Sequence, residues 1–189
     1  MAGESENRKG RGQLTGESGY RWFDQVTEDG WEHDVWLMAR RMALLYHYLT
    51  QAIVERLGDE EGKELVEDAV WKYGQHCGSA VREAVLARGM EPTPQNFAAV
   101  ADLPSRGWRS GPCRAADGRE FRGTTLCPLA KTWQAVGTGR ELARLYCRVD
   151  QAKFAAYYGG EYVCVHAHNV LDGDSCCEIV VRPNLERKA

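Results

Sequence analysis

Residues 162–181, YVCVHAHNVLDGDSCCEIVV, decide the fold of the C-terminal part of the chain. Two alternating, β-rich runs flank the Asp-Gly dipeptide at 172–173, which strongly favours a two-residue type I′ hairpin turn. This turn predicts an antiparallel pair of strands in which His168 lies opposite Cys177. The prediction depends on register, because a slip of one residue turns each side chain to the other face of the ladder.

The predicted pairing places a thiol beside an imidazole. Directly opposed residues on one face have Cβ atoms about 4.5–5.5 Å apart. A neighbouring imidazole lowers the pKa of a thiol, and the thiolate is the reactive form, so Cys177 and His168 are candidate catalytic residues. Neighbouring strand residues face opposite ways, so Cys176 is expected to point away from this site.

Two long helices are predicted before this hairpin. Apolar residues recur at helical spacing from Trp31 to Leu57, where Gly58 is expected to end the first helix. Asp59 is expected to cap a second helix that runs from Glu60 to about Arg88. The stripes expected to face the core contain Val35, Met38, Met42, Leu45, Leu49 and Ile53 in the first helix, and Leu65, Ala69, Tyr73, Cys77, Ala80 and Ala84 in the second.

The middle of the chain predicts a short helix from Thr93-Pro94, a β-hairpin over 107–125 with its turn at 116–118, and helices over 127–136 and 140–158. The expected fold class is therefore α+β, with long N-terminal helices packed on an antiparallel sheet of about four strands built from two hairpins. Residues 1–20 are polar and Gly-rich and are expected to form a disordered leader. Residues 21–189 are expected to form a single domain.

Composition narrows the class of protein. The chain has 189 residues, 43% hydrophobic and 27% charged, as in soluble globular proteins. It has no basic stripe for nucleic acid, no apolar run near the roughly 18 residues of a membrane span, and no secretory signal at its start. We therefore expect a cytoplasmic protein with a small-molecule partner. Its seven cysteines, an odd number, are then expected to stay reduced rather than form a disulfide framework.

Two cysteines and a carboxylate are further candidates. Cys127 precedes a helix that starts with proline, where a thiol pKa is depressed, although Cys is also a common small buried residue. Cys147 and Asp150 are three residues apart on one inward helix face. A buried carboxylate needs a partner or a function, so Asp150 fits acid/base work or a structural pairing.

Alternation also places Cys164, His166 and His168 on one strand face. This face either meets Cys177, looks to solvent, or contributes zinc ligands, since His and Cys are the usual ligands of zinc. The chain has no CxxC or HExxH spacing, and no GxGxxG or P-loop, so we expect no metal site and no cofactor.

Several segments in order resemble the L-2-amino-thiazoline-4-carboxylic acid hydrolase family over about residues 35–182. They are LGDEEGKELVEDAVWKYGQHCGSAVREAVLARGMEPTPQNF, DLPSRGW, CPLAKTW, LYCRVDQA and LDGDSCCE. The order CPLAxxW, YCxVD, GDxxC is fairly distinctive. The resemblance implies hydrolytic opening of a 2-aminothiazoline ring to an N-carbamoyl cysteine. The architecture is also similar to that of 4-vinyl-reductase-type small-molecule-binding domains.

The family motifs match this chain at Cys127, Cys147, Asp150, Asp174 and Cys177. The resulting hypothesis is a cysteine-dependent hydrolase that opens a C–N bond in a small cyclic amidine or amide. Cys177 attacks the electrophilic carbon, while Asp150 or His168 carries the proton to the leaving nitrogen and activates water.

The expected substrate-binding residues are Cys127, Cys147, His166 and Asp174. Two other functions fit the same residues: a biosynthetic tailoring enzyme that performs another ring opening, closure or rearrangement, and a non-catalytic small-molecule-binding domain. An enzyme should contain one thiol far more reactive than the others, whereas a sensor should bind without turnover. Formation of a homodimer stays open.

Overall fold

The computed structural model describes residues 30–100 and 102–188, so the expected leader at 1–20 lies outside the described residues. The helices are α1 Gly30–Leu57, α2 Asp59–Leu86, α3 Pro94–Phe97, α4 Pro128–Val136, α5 Arg140–Tyr146 and α6 Arg148–Tyr157. The strands are β1 Arg109–Arg114, β2 Glu120–Leu126, β3 Tyr162–His168 and β4 Glu178–Pro183. Short 3₁₀ turns cover Ser105–Gly107, Val170–Asp172 and Leu185–Lys188. The α+β class is confirmed. Within the described ranges, no helix is long and apolar enough to cross a membrane.

Glycines mark the ends of α1 and α2, as predicted. Gly58 has a φ of 90° and separates the two helices, and Gly89 has a φ of 70° just after α2. The N-cap of α2 is Gly58 rather than the expected Asp59. Asp59 instead lies in the first turn, where its carboxylate accepts a 2.6 Å hydrogen bond from the Lys63 ammonium group.

The buried faces of α1 and α2 differ from the predicted stripes. The residues buried on these helices are Trp36, Ala39, Ala43, His47 and Thr50, and Gly62, Val66, Val70, Gly74, Gly78, Val81 and Val85. Met38, Leu45 and Leu49 are more than half exposed. A Cβ at Gly74 would lie 2.6 Å from the Val149 carbonyl oxygen, so α2 approaches α6 backbone to backbone. On α2, the glycines that allow this approach therefore select the packed face.

The strands form two separate two-stranded antiparallel sheets, β1–β2 and β3–β4, so the expected single four-stranded sheet is wrong. The first hairpin turns at Gly118, which has a φ of 87°, as predicted. The two hairpins meet at one bridge, in which Thr124 and Cys177 exchange two backbone hydrogen bonds of 2.9 Å. Cys177 lies just before β4, so the hairpins touch at a corner and not along an edge.

The register of the second hairpin changes within β3. His166 lies opposite Ile179, which is the register that a turn centred on 172–173 produces. An irregularity between His166 and His168 then places His168 opposite Glu178, so the predicted pairing of His168 with Cys177 is wrong. The loop is not a two-residue turn, because Val170–Asp172 forms a 3₁₀ turn that ends at Gly173.

A disulfide reinforces the corner between the hairpins. Cys113 of β1 is bonded to the fully buried Cys176, with their Cα atoms 6.7 Å apart. The expectation that all cysteines stay reduced is wrong for this pair. The expectation that Cys176 and Cys177 face opposite ways holds, since only Cys176 points to β1. The free cysteines of the described ranges are Cys77, Cys127, Cys147, Cys164 and Cys177.

Two apolar clusters hold the region around Cys147. Ala143 of α5 packs with α1 and α4 in a cluster that includes Trp133. Tyr157 of α6 packs with α2 in a second cluster. The single helix expected over 140–158 is broken between α5 and α6, and Cys147 is the residue at the break. Packing on both sides therefore fixes the position of this cysteine.

Candidate active site

The break between α5 and α6 exposes Cys147 to a pocket. The Cys147 N–H donates to the Arg144 carbonyl at 3.0 Å, which closes the last turn of α5. The pocket has a volume of about 300 Å³ and is called the Cys147 pocket below. It is lined by Glu67, Arg144, Leu145, Cys147, Arg148, Gln151 and His166. Two of the predicted site residues, Cys147 and His166, thus share one cavity.

Asp150 binds the far side of the His166 ring. The distance between Asp150 Oδ2 and His166 Nε2 is 3.2 Å. Lys153 Nζ lies 3.4 Å from Asp150 Oδ1 and 3.8 Å from Asp102 Oδ2, and Lys153 is only 7% exposed. The partly buried carboxylate is therefore paired with the Lys153 ammonium group, and it contacts the ring of the histidine that lines the pocket.

These contacts set the charges of Asp150 and His166. Burial raises the pKa of Asp150, but the hydrogen bond to His166 and the charge of Lys153 outweigh it and hold this pKa below its usual value. Burial lowers the pKa of His166, but the hydrogen bond to Asp150 and the interaction with Cys147 raise it to about 9. At neutral pH the carboxylate is ionised and the imidazole is protonated.

Asn169 lies between the sulfur and the ring. Its Nδ2 donates to Cys147 Sγ at 3.6 Å and lies 3.2 Å from His166 Nδ1. The Leu171 N–H donates to Asn169 Oδ1 at 2.9 Å, which fixes the orientation of the buried amide. When the ring is neutral, Nδ1 can accept from Nδ2. When the His166 ring is charged, its Nδ1 carries a proton and cannot accept a hydrogen bond. Asn169 Nδ2 then donates to Cys147 Sγ.

Cys177 and His168 do not form the predicted dyad. The His168 ring stacks on Phe121 with centroids 5.3 Å apart, and its Nδ1 lies 3.4 Å from Asp174 Oδ1. Its Nε2 lies 3.8 Å from Glu178 Oε2. Cys177 Sγ instead accepts a 3.4 Å hydrogen bond from the Val170 N–H. Burial raises the pKa of Cys177, contrary to the low pKa expected for it.

Cys127 and Asp174 line a second, smaller pocket of about 160 Å³. Burial raises the pKa of Cys127 to about 11, although the N–H groups of Ala130 and Leu129 lower it, so the expected depression at this helix start is wrong. Asp174 closes the β3–β4 loop, because its Oδ2 accepts a 2.7 Å hydrogen bond from the Asn169 N–H. Asp174 therefore stabilises the β3–β4 loop and does not line the Cys147 pocket.

Cys164 is buried on the same side of β3 as His166. Burial, followed by the charge of Asp150, raises the pKa of Cys164 to about 12, which suits an inert core thiol.

Sequence reasoning missed Arg144, Lys153 and Asn169. Arg144 lies three residues before Cys147 and Lys153 lies three residues after Asp150, so helical spacing could have found both. Asn169 had the weaker signal of an amide directly before a turn. Across the described ranges, no group of three His, Cys, Asp or Glu residues is arranged to hold a metal ion.

Comparison with known proteins gives one match. The model of the L-2-amino-thiazoline-4-carboxylic acid hydrolase family matches residues 38–181, which is more than half of the chain. Neither the curated proteins nor the solved structures gave a match. The resemblance carried by the CPLAxxW, YCxVD and GDxxC motifs is thereby confirmed. The chain belongs to the L-2-amino-thiazoline-4-carboxylic acid hydrolase family, and it is a hydrolase that acts on a small cyclic substrate.

Proposed function

We propose that the protein hydrolyses L-2-amino-thiazoline-4-carboxylate, with Cys147 as nucleophile, His166 as proton carrier and Asp150 as the group that holds His166 in place. The observation that carries the proposal is that Cys147 and His166 line one pocket, while Asp150 contacts the ring nitrogen on the far side at 3.2 Å. A thiol, an imidazole and an orienting third group are the parts that an activated cysteine needs.

The neighbouring thiols fit this role less well. Cys177 does not line the Cys147 pocket, and its sulfur is engaged by the Val170 N–H. Cys127 lines the other pocket, and burial disfavours its thiolate. His168, the proton carrier of the earlier hypothesis, has two carboxylates and the Phe121 ring as neighbours. We therefore assign the nucleophile to Cys147.

In the proposed reaction, the ring opens while its amidine carbon is bonded to Cys147. Cys147 Sγ adds to the amidine carbon, and the electron pair of the ring C=N bond takes the proton held by His166. The tetrahedral adduct expels the ring sulfur, which takes a proton from an adduct nitrogen and becomes a thiol, so that a neutral isothiourea stays bound to Cys147. Water then adds to the same carbon, with His166 accepting its proton. Release of Cys147 yields the N-carbamoyl cysteine, in which the carbon keeps both nitrogens and gains one oxygen.

Asp150 contributes by position and charge. A carboxylate that binds one ring nitrogen fixes the direction of the other and stabilises the imidazolium form. Together with the hydrogen bond to His166, the charge of Lys153 keeps this partly buried carboxylate ionised, because burial alone would raise its pKa. The pair therefore keeps a proton on His166 for the addition step.

Substitution of two cysteines tests the proposal. Cys147→Ser should lower kcat/KM for L-2-amino-thiazoline-4-carboxylate by about 10³-fold or more, because the hydroxyl is a much weaker nucleophile. Cys177→Ser is the matched control and should keep most of the activity. Circular dichroism should show both variants folded. A folded Cys147→Ser variant with near-normal turnover would contradict the proposal, and so would loss of turnover confined to Cys177→Ser.

A further inference from the structure

Two arginines line the Cys147 pocket, and they differ in how their guanidinium groups are used. Arg148 donates from Nε and Nη2 to Glu67 Oε1, at 2.7 and 2.5 Å, and from Nη1 to Gln151 Oε1 at 2.8 Å. All three of its nitrogens therefore have protein acceptors. Arg148 fixes α6 to α2, and its guanidinium charge is already paired with the Glu67 carboxylate.

Arg144 is held at one edge only. Its Nε lies 3.1 Å from Asp172 Oδ2, which anchors the guanidinium from the side of the β3–β4 loop. Its Nη1 lies 3.4 Å from His166 Nδ1, a ring nitrogen. Among the described residues, neither Nη1 nor Nη2 forms a hydrogen bond with a carboxylate. The outer edge of the group can therefore accept a carboxylate from a ligand.

The place of Arg144 relative to the nucleophile adds to this argument. Arg144 and Cys147 are three residues apart, and the Arg144 carbonyl accepts the Cys147 N–H, so their backbones are held together. The side chain is 29% exposed, which leaves it open to the pocket. A group bound to Nη1 and Nη2 would lie beside both His166 and Cys147.

Building on the proposed function, we infer that Arg144 binds the carboxylate of the substrate and makes the site selective for ring substrates that carry one. A guanidinium edge matches a carboxylate in two parallel hydrogen bonds, which orients the bound group as well as holding it. The substrate carboxylate is attached to the ring carbon next to N3. Binding it beside Cys147 therefore directs the amidine carbon toward Sγ and the ring nitrogen toward His166.

The inference predicts a change of selectivity in Arg144→Met, which keeps the apolar stem and removes the guanidinium. With L-2-amino-thiazoline-4-carboxylate, kcat/KM should fall about 10- to 100-fold, mostly through KM, the range expected when a charged hydrogen bond is lost. With 2-amino-2-thiazoline, which lacks the carboxylate, kcat/KM should barely change. Arg144→Lys should recover part of the selectivity. Arg140→Met, an exposed position on the same helix, is the control and should behave as wild type on both substrates.

Binding provides a second readout that does not depend on turnover. In a Cys147→Ser background, calorimetry should show that the carboxylate compound binds more tightly than 2-amino-2-thiazoline and that Arg144→Met removes the difference. Equal losses for both compounds, or no loss for either, would overturn the inference. If the selectivity is present in binding but wild-type protein hydrolyses neither compound, the proposed reaction fails while the role of Arg144 stands.

Discussion

His166 and His168 lie two residues apart in β3, yet they belong to different environments. The His166 side chain is 5% exposed, contacts Asp150 and lines the Cys147 pocket. The His168 side chain is 25% exposed and lies among Phe121, Asp174 and Glu178 at the corner of the two hairpins. Strand alternation would place both on one face, and the irregularity between them separates them. One extra residue in a ladder can therefore decide which of two histidines reaches a pocket.

The largest expected effect comes from replacing each histidine in turn. His166→Asn should lower kcat by about 10²- to 10⁴-fold, because the proton carrier is lost. His168→Asn should leave kcat close to wild type, since the ring contacts no group of the Cys147 pocket. Steady-state kinetics on both folded variants would decide the matter. An inactive His168→Asn variant beside an active His166→Asn variant would contradict the assignment of His166 as proton carrier.

A smaller effect is expected in the pH dependence of stability. The folded pKa of His166 is raised to about 9, so its stabilisation is complete below the unfolded value near 6.5 and is lost as the pH rises through about 9. Solvent on the pocket side screens the pair, so we expect a loss of unfolding free energy of about 1–2 kcal/mol. Denaturant unfolding at pH 6.5 and pH 9.5 would measure it.

Asp150→Asn is the control for this measurement. It removes the carboxylate that raises the His166 pKa, so the difference in unfolding free energy between pH 6.5 and pH 9.5 should shrink. An equal difference in wild type and variant would show that other groups cause the pH dependence, and that the Asp150–His166 pair does not.

Local signals in the sequence predicted local structure well. Gly58 and Gly89 mark helix ends, Gly118 marks the first hairpin turn, and the register implied by residues 172–173 holds as far as His166. These features follow from turn chemistry and glycine conformation, which act over a few residues. The helix break at Cys147 was not predicted, because no glycine or proline occurs between residues 140 and 158.

Features that depend on distant contacts were not predictable. The buried face of α2 follows from the close approach of α6 to Gly74. The spacing of apolar residues along the sequence does not indicate this approach. The irregularity in β3 precedes a loop closed by the side chains of Asn169 and Asp174 as well as by the Asp-Gly dipeptide. The Cys147–Asp150 spacing indicated part of the proposed site. The histidine proposed for that site depends on the register change in β3, which the sequence did not predict.

Site-resolved alkylation tests whether His166 activates Cys147. Wild-type protein is treated with iodoacetamide at pH 7, and labelling of each free cysteine is followed by peptide mass spectrometry. Cys147 should be labelled first, L-2-amino-thiazoline-4-carboxylate should protect it, and His166→Asn should slow its labelling while His168→Asn should not. Faster labelling of Cys177 that is slowed by His168→Asn would contradict the account.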